Sequence, residues 1–578
     1  MRKVLRQLSI CVAIVSAFAV VGGGCHSHSF TCEVQEDAYL KSEATCESAK
    51  TYYKSCECGE VGEETFSVGK KLRHDTDGQI ESEEYLKTEP TCLKPGLYYK
   101  FCSMCGTKSL LTFKGEKLGD HAYTEEVADG KYLKEEATRE SAAVYYKSCV
   151  CGLTGEDTFV FGEKLREYTA EEKVPYTPTS LTVTLYDTET SVYGFTYNTL
   201  AEPLRPVIQV AEGEEFTEYK EYSATVEKAT SYNADDSQFA YYIVKAEVPL
   251  EAAKTYTYRA YDKYVEVGTE TATLKTKDLT TDTFSFAHVA DTQDYPHAFK
   301  KVLQCVAGKN DFLLHTGDVV ESSQHENEWK AMLHGNFAYL SQIPMMAISG
   351  NHETTYKHGS NETYKHFHNK MPKQETKKGY YYSFNYGNAK FIMLNTNVLQ
   401  GNGLTETQYQ WFVNELSQNR ATCTIVAMHN PMYSAGVYGS DPTRNDIAMA
   451  LRGQLQGIFA EYGVDLVLQG HDHLISRTHP IDGDGVVQTE TWETQGGIDY
   501  SVDPNGVLYV MSGTAGGQTR GPNSNMEASL YNYAVASVTS SWTEFSIEGN
   551  QLTATVKCAT NGNEEVLRQW GVVKSAKA

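Results

Sequence analysis

Phe312-Leu313-Leu314-His315-Thr316-Gly317-Asp318 is a short apolar run that stops abruptly in a glycine and a carboxylate. A run this short, bounded by turn residues, reads as a buried strand. The same texture recurs at four other places. Phe284 to Ala290 ends in Asp291-Thr292-Gln293, and Met345 to Ser349 ends in Gly350-Asn351-His352-Glu353. Thr424 to Met428 ends in His429-Asn430-Pro431, and Val464 to Gln469 ends in Gly470-His471-Asp472-His473. Amphipathic stretches such as Glu406 to Leu416 and Asp446 to Tyr462 lie between them. From Phe284 onward the chain therefore reads as α/β, with polar groups on the loops at strand ends.

Taken singly, each ending is a common turn or cap. Strand ends at one sheet edge converge, however, and together these supply two Asp, one Asn and three His. Such hard oxygen and imidazole donors suit two divalent or trivalent cations. In an extended segment residues i and i+2 share a face, which directs His471 and His473 inward together, and Asp291 and Gln293 likewise. His358, His366 and His368 lie in a polar segment after the third block that reads as a solvated loop.

The five blocks, in this order, resemble the metallophosphoesterase (calcineurin-like) superfamily, and more closely its purple acid phosphatase-like branch. His473 to Pro480, Tyr381 to Gly387, His429 to Tyr433 and Val510 to Gly517 are similar to further segments of that branch. The resemblance implies a mixed α/β sandwich (αββα, two central sheets flanked by helices) over 283–578 that holds two metal ions, Fe, Zn or Mn. Carried over by position, it makes Asp318 the bridging ligand, Asp291 and His473 ligands of the first metal, and Asn351, His429 and His471 ligands of the second. His352 becomes the general acid. The implied reaction is phosphomonoester hydrolysis by in-line attack of a metal-bound hydroxide. This sequence departs from the pattern at two places. Glu321 stands where the purple enzymes carry a metal-binding tyrosine, and Gln293 where the family has Gly or His; Gln293, Glu321 or neither completes the first site. Without the tyrosinate the protein is expected to be colourless.

Upstream, Leu181, Val183, Leu185, then Tyr193, Phe195 and Tyr197, alternate with period two. Residues 174–277 thus read as a β-sandwich, similar to the fibronectin-like domain that such phosphatases often carry. A Pro- and Glu-bearing linker (166–180) precedes it. Before the linker, Tyr52-Tyr53-Lys54-Ser55-Cys56 recurs at Tyr98 and Tyr145, with offsets of 46 and 47 residues. Three small repeats fill 26–165. His28, His74 and His121 keep the same offsets. Grouped within one copy, His28, Cys46, Cys56 and Cys58 form one set, and His74, Cys92, Cys102 and Cys105 another. Copy three has Arg139 in place of a cysteine and reads as incomplete. One His and three Cys suit structural zinc, while disulfides use the same cysteines in an oxidising compartment. The repeats resemble Cys-bearing modules of bacterial surface proteins, which implies display or spacing, with contact to cell wall, to matrix or to neither left open.

Residues 1–25 read as a signal peptide, with Arg2, Lys3 and Arg6 before the apolar run Leu8 to Val21. Two endings compete: Ala17-Phe18-Ala19 fits ordinary signal cleavage and secretion, while Gly22-Gly23-Gly24-Cys25 resembles a bacterial lipoprotein box, which implies lipidation of Cys25, a membrane anchor and a cell-surface location. The 578 residues include 75 acidic and 51 basic side chains, a net charge of −24, which argues against coating nucleic acid. A small phosphorylated substrate remains compatible, because bound cations do not enter that count. Three functions are weighed: a phosphomonoesterase, a diesterase or nucleotide hydrolase on the same site, and a non-catalytic surface-binding protein.

Overall fold

The computed structural model describes residues 28–575, apart from positions 118, 234, 236, 355–361, 374–379, 398, 401–402 and 561–562. The export and lipidation expectations, Cys25 included, and His358 lie outside the described residues. The chain divides into two compact units, Met1–Leu165 and Arg166–Ala578.

The sequence repeat is a structural repeat. Each copy is a three-stranded antiparallel sheet, the first built from Leu40–Ser42, Lys50–Ser55 and Val61–Val68. The second uses Leu86–Thr88, Leu97–Phe101 and Lys108–Lys114, and the third Leu133–Glu135, Ala143–Ser148 and Thr154–Phe161. The Tyr-Tyr-Lys motif lies on the middle strand, where Tyr52, Tyr98 and Tyr145 stack on Phe66, Phe113 and Phe159 at 5.6–5.8 Å. Of these rings only Tyr52 and Tyr98 are buried, and few other apolar side chains are, so each sheet has almost no core of its own.

The second unit opens with two antiparallel sheets over 179–275, of four and five strands. Leu181, Val183 and Leu185 point into the space between them, as the alternation predicts. Thr182 and Thr184 on the opposite face are buried as well. Their hydroxyls donate to the carbonyls of His366 (2.5 Å) and His368. The segment read as a solvated loop is therefore an internal seam: His366 is fully buried, stacked 4.0 Å from Trp329, and His368 packs on Tyr186. A single apolar cluster runs from Leu181 to Val572, so the expected boundary at 277–283 does not separate two cores.

Beyond it two larger sheets pack face to face. One contains β1 (Thr283–Val289), β2 (Phe312–His315) and β3 (Met345–Ala347), mutually parallel. The other contains β4 (Cys423–Met428) parallel to β5 (Leu466–Gln469), with β6 (Leu474–Thr478) near its edge. Phe286 lies 5.2 Å from both Phe312 and Phe391 and 5.0 Å from Phe545, joining the layers. On β4, Ile425 and Ala427 face this shared core, while Val426 and Met428 face helices α1 (Glu406–Gln418) and α2 (Asp446–Glu461) on the outside. Parallel strands end on a common side, so β1, β2, β3, β4 and β5 deliver their terminal loops to one rim.

Candidate active site

The rim gathers the polar residues that end the five strands. Asp318 Oδ1 lies 3.3 Å from His429 Nε2, and the donor atoms of Asp318, His429 and His471 fall within 4.8 Å of one another. Asn351 Oδ1 is 2.9 Å from His429 Nε2. Beside this group Asp291 Oδ1 is 3.4 Å from His473 Nε2, and the Asp291 carboxylate accepts the His471 N–H at 3.0 Å. His352 borders the cluster, its Nε2 3.7 Å from Asp318 Oδ2.

Left-handed turns, not a pleat, aim these groups. The φ angles are 55° at Asp291, 47° at Gln293, 55° at Asp318, 73° at His471 and 52° at His473. Side-chain-bearing residues rarely adopt such values, and they cluster where surrounding structure enforces them. The expectation that an extended backbone brings i and i+2 together is thus replaced: both members of each pair reach the site through consecutive tight turns. Room for this is set by Gly350, where an added Cβ would lie 2.0 Å from Asp318 Oδ1.

Backbone carbonyls fix the imidazoles. His429 Nδ1 donates to Thr316 O at 2.8 Å, His473 Nδ1 to Gln518 O at 2.6 Å, and His352 Nδ1 to Glu321 O at 2.6 Å. A carbonyl only accepts, so each Nδ1 holds a proton and each Nε2 turns its lone pair inward. An inward lone pair facing a buried carboxylate repels it unless a proton or a cation lies between. Burial pulls the His429 imidazole down, but the facing Asp318 carboxylate more than reverses this, to about 9. Burial also opposes ionisation of Asp318, yet His429 and its neighbours hold that carboxyl well below the usual range. Two buried carboxylates, an amide oxygen and inward imidazole nitrogens form a donor set that fits divalent or trivalent cations.

Gln293 and Glu321 sit around His352. Gln293 Nε2 is 3.3 Å from His352 Nε2, whereas Glu321 Oε1 is 3.7 Å from Nδ1, on the side of the ring away from Asp318. The Glu321 side chain is 44% exposed; it is not gathered with the donor cluster.

The structure also adds residues that the sequence did not single out. Glu353 is fully buried and accepts from the N–H groups of Gly350 (2.6 Å), Asp318 and Val319 (2.9 Å each) and Val320 (3.3 Å). It clamps the turn that carries Asp318. Asp472, between the two histidines, accepts from Ser434 Oγ at 2.6 Å and the Tyr438 N–H at 3.2 Å. Tyr438 is thereby placed 4.1 Å from the His471 ring. A cavity of about 500 Å³ opens here, bounded by Asn351, His471, Tyr438, Pro431, Arg444 and Ile447. Glu353 carried a signal, being next to His352; nothing local marks Tyr438.

The cysteine sets are regrouped. Cys46 joins His74, Cys102 and Cys105 of the following repeat, and Cys92 joins His121, Cys149 and Cys151. His28 is left with Cys56 and Cys58, which are bonded to each other. The within-copy sets fail because the Cys46 and Cys92 loops turn toward the next sheet.

A strand-end rim of Asp, Asn and His over two packed sheets is the architecture of a metallophosphoesterase. Residues 284–474 match the family model described as calcineurin-like phosphoesterase. That segment is therefore a calcineurin-like phosphoesterase domain, and the relatives it is similar to are acid phosphatases of the purple acid phosphatase kind. Human acid phosphatase type 7 is 28% identical over 232 residues, covering 37% of this chain and 50% of that protein. Purple acid phosphatase 23 of Arabidopsis thaliana is 28% identical over 183 residues, covering 30% and 35%. The chain thus spans half or less of the length of these relatives. The structure of purple acid phosphatase PPD1 from yellow lupin seeds shares the fold, with a TM-score of 0.58 at 15% identity, covering 69% of this chain and 75% of that one.

Proposed function

We propose that this protein is a metal-dependent phosphoesterase that cleaves phosphomonoesters at the rim formed by β1 to β5. The observation that carries the proposal is the convergence of Asp291, Asp318, Asn351, His429, His471 and His473, with the lone pairs of His429 and His473 turned toward the buried carboxylates. In this reading Asp318 would serve both of two cations, Asp291 and His473 would hold one, and Asn351, His429 and His471 would hold the other. When bound, such a pair supplies charge neutralisation at phosphorus and a water of lowered pKa. Fe, Zn or Mn suit these donors.

The chain's own groups do the rest. The Glu321 carbonyl keeps the proton of His352 on Nδ1, so Nε2, beside Asp318, is the atom that takes up and gives back a proton. Placed at the leaving oxygen, it protonates the departing alkoxide, help that typically contributes ~10²–10⁴-fold. Gln293 Nε2, 3.3 Å away, steadies the ring. The cavity beside His471 takes the organic part of the ester against Tyr438, Pro431 and Ile447, and Arg444 adds positive charge. The segment 1–25 is proposed to direct export and, through Cys25, lipid anchoring.

The test is turnover of an aryl phosphate and of its bis-aryl diester by the full chain with added Mn²⁺, Zn²⁺ or Fe. The monoester is expected to be the better substrate, and a preference for the diester overturns the assignment.

A further inference from the structure

The repeats carry a second kind of site. Cys46, His74, Cys102 and Cys105 bring one donor atom each to within 4.8 Å of one another, as do Cys92, His121, Cys149 and Cys151. We infer that each set binds a structural zinc ion, and that each ion is shared across a module boundary, one cysteine coming from the preceding repeat and the other three ligands from the following one.

The spacings are those of ligands around an ion. Zn–S bonds of about 2.3 Å at the tetrahedral angle put neighbouring sulfurs about 3.8 Å apart, whereas a disulfide puts them about 2.05 Å apart. Cys46 Sγ and Cys102 Sγ are 3.7 Å apart, and Cys92 Sγ and Cys149 Sγ 3.3 Å. His74 Nδ1 is 3.4 Å from Cys105 Sγ, and His121 Nδ1 is 3.4 Å from Cys151 Sγ. None of these six cysteines is in a disulfide. Cys46, Cys102 and Cys149 are also buried, in modules that bury little else. Three thiolates and one imidazole, a ligand set of structural zinc sites, select zinc over harder cations.

The local topology makes the sharing necessary. His28, His74 and His121 each lead into a short segment that bridges to the middle strand of its own sheet, at Cys32–Ser55, Gly78–Phe101 and Glu125–Ser148. The paired cysteines come directly after that strand. Three ligands thus belong to one module. The fourth comes from the loop before the middle strand, at positions 46 and 92, and projects into the next module.

This arrangement accounts for two departures from the repeat. Arg139 occupies the donating position of the third module, and the chain continues from that module into the linker and Thr179–Asp187, not into a fourth repeat. The third module therefore keeps its complete receiving set and needs no donor cysteine; Arg139 marks the end of the array, not a decayed site. At the other end, His28, Cys56 and Cys58 have no fourth donor among the described residues, and there the two sulfurs are bonded to each other. Among the described residues the three modules hold two complete donor sets, one at each junction. A module of this size lacks the core to fold firmly alone, and a metal at each junction substitutes for it.

The test counts zinc per full-length chain by mass spectrometry in paired variants. Cys46→Ser and Cys92→Ser are each expected to lose one zinc, and Cys46→His, which keeps a ligand, to lose none. Cys46→Ser with His74→Ala removes a single site and is expected to lose one; His74→Ala with Cys92→Ser removes both and is expected to lose two. Sets confined within one repeat predict the reverse for those two pairs, and that result overturns the inference. Unchanged zinc in the single variants overturns it too, as does loss of both ions from either one, or a Cys46–Cys102 disulfide in non-reducing peptide mapping. Aryl phosphate turnover should stay unchanged throughout, which places the lost zinc outside the rim site.

Discussion

Glu353→Gln is the sharpest probe of how the rim is built. One carboxylate oxygen accepts from Gly350 N and Asp318 N, the other from Val319 N and Val320 N. Burial and the neighbouring Asp318 carboxylate push this carboxyl up to about 7, while the N–H donors favour its ionised form. Glutamine keeps one acceptor oxygen and turns an NH₂ group toward two N–H donors. Two charge-assisted hydrogen bonds are lost, each about 1.5–3 kcal/mol, so the turn loses roughly 3–6 kcal/mol of local support. Because Asp318 sits on that turn, its carboxylate shifts; a misplacement of about 1 Å costs on the order of 10²-fold in rate. The assay is kcat on an aryl phosphate, read beside metal content and Tm. Glu353→Gln should lower all three, with Glu353→Asp intermediate. Native kcat, metal content and Tm in Glu353→Gln would refute the clamp.

Arg477 and Glu490 are buried and doubly hydrogen-bonded, with the guanidinium 4.7 Å from the Trp570 ring. Glu490→Gln leaves a buried cation without its partner charge and should destabilise the second unit by about 3–5 kcal/mol in urea unfolding. Glu326, packed against Asn198, His366, Tyr241, Glu362 and Lys365, is raised to about 8, chiefly by burial. A carboxyl raised on folding gives stability that is present below its unfolded value and lost as pH rises through its folded value. Every tenfold displacement of the protonation equilibrium corresponds to about 1.4 kcal/mol, so Glu326→Gln should raise Tm increasingly between pH 5 and 8, and an equal effect at both ends contradicts the assignment. Iron-loaded protein should show no tyrosinate charge-transfer band, since position 321 carries glutamate; visible absorption spectroscopy reads this directly.

Much of the catalytic part is legible in the sequence because a buried parallel strand and its terminal turn leave a local mark: an apolar run, then Gly, Asp, Asn or His. The residues that close the site are less visible because they act through tertiary contact. Tyr438 reaches His471 only because Asp472 holds its N–H, and the two elements are 34 residues apart. The left-handed turns at Asp291, His471 and His473 run against the pleat that spacing alone suggests. Period two correctly marks Leu181, Val183 and Leu185, but it does not show that Thr182 and Thr184 are buried too, since that depends on the seam with His366 and His368. In the repeats the register of His and Cys is plain in the sequence. Their grouping across module boundaries is not, because equal offsets are the same whether Cys46 turns back into its own sheet or forward.

The most direct test of the central claim is aryl phosphate turnover by the full chain, stripped with a chelator and then resupplied with Mn²⁺, Zn²⁺ or Fe, beside Asp318→Asn treated identically. Activity should vanish on stripping, return with at least one of these metals, and stay at background in Asp318→Asn. Resupplied wild-type protein no more active than Asp318→Asn, or activity undiminished by stripping, contradicts a metal-dependent phosphoesterase at this rim.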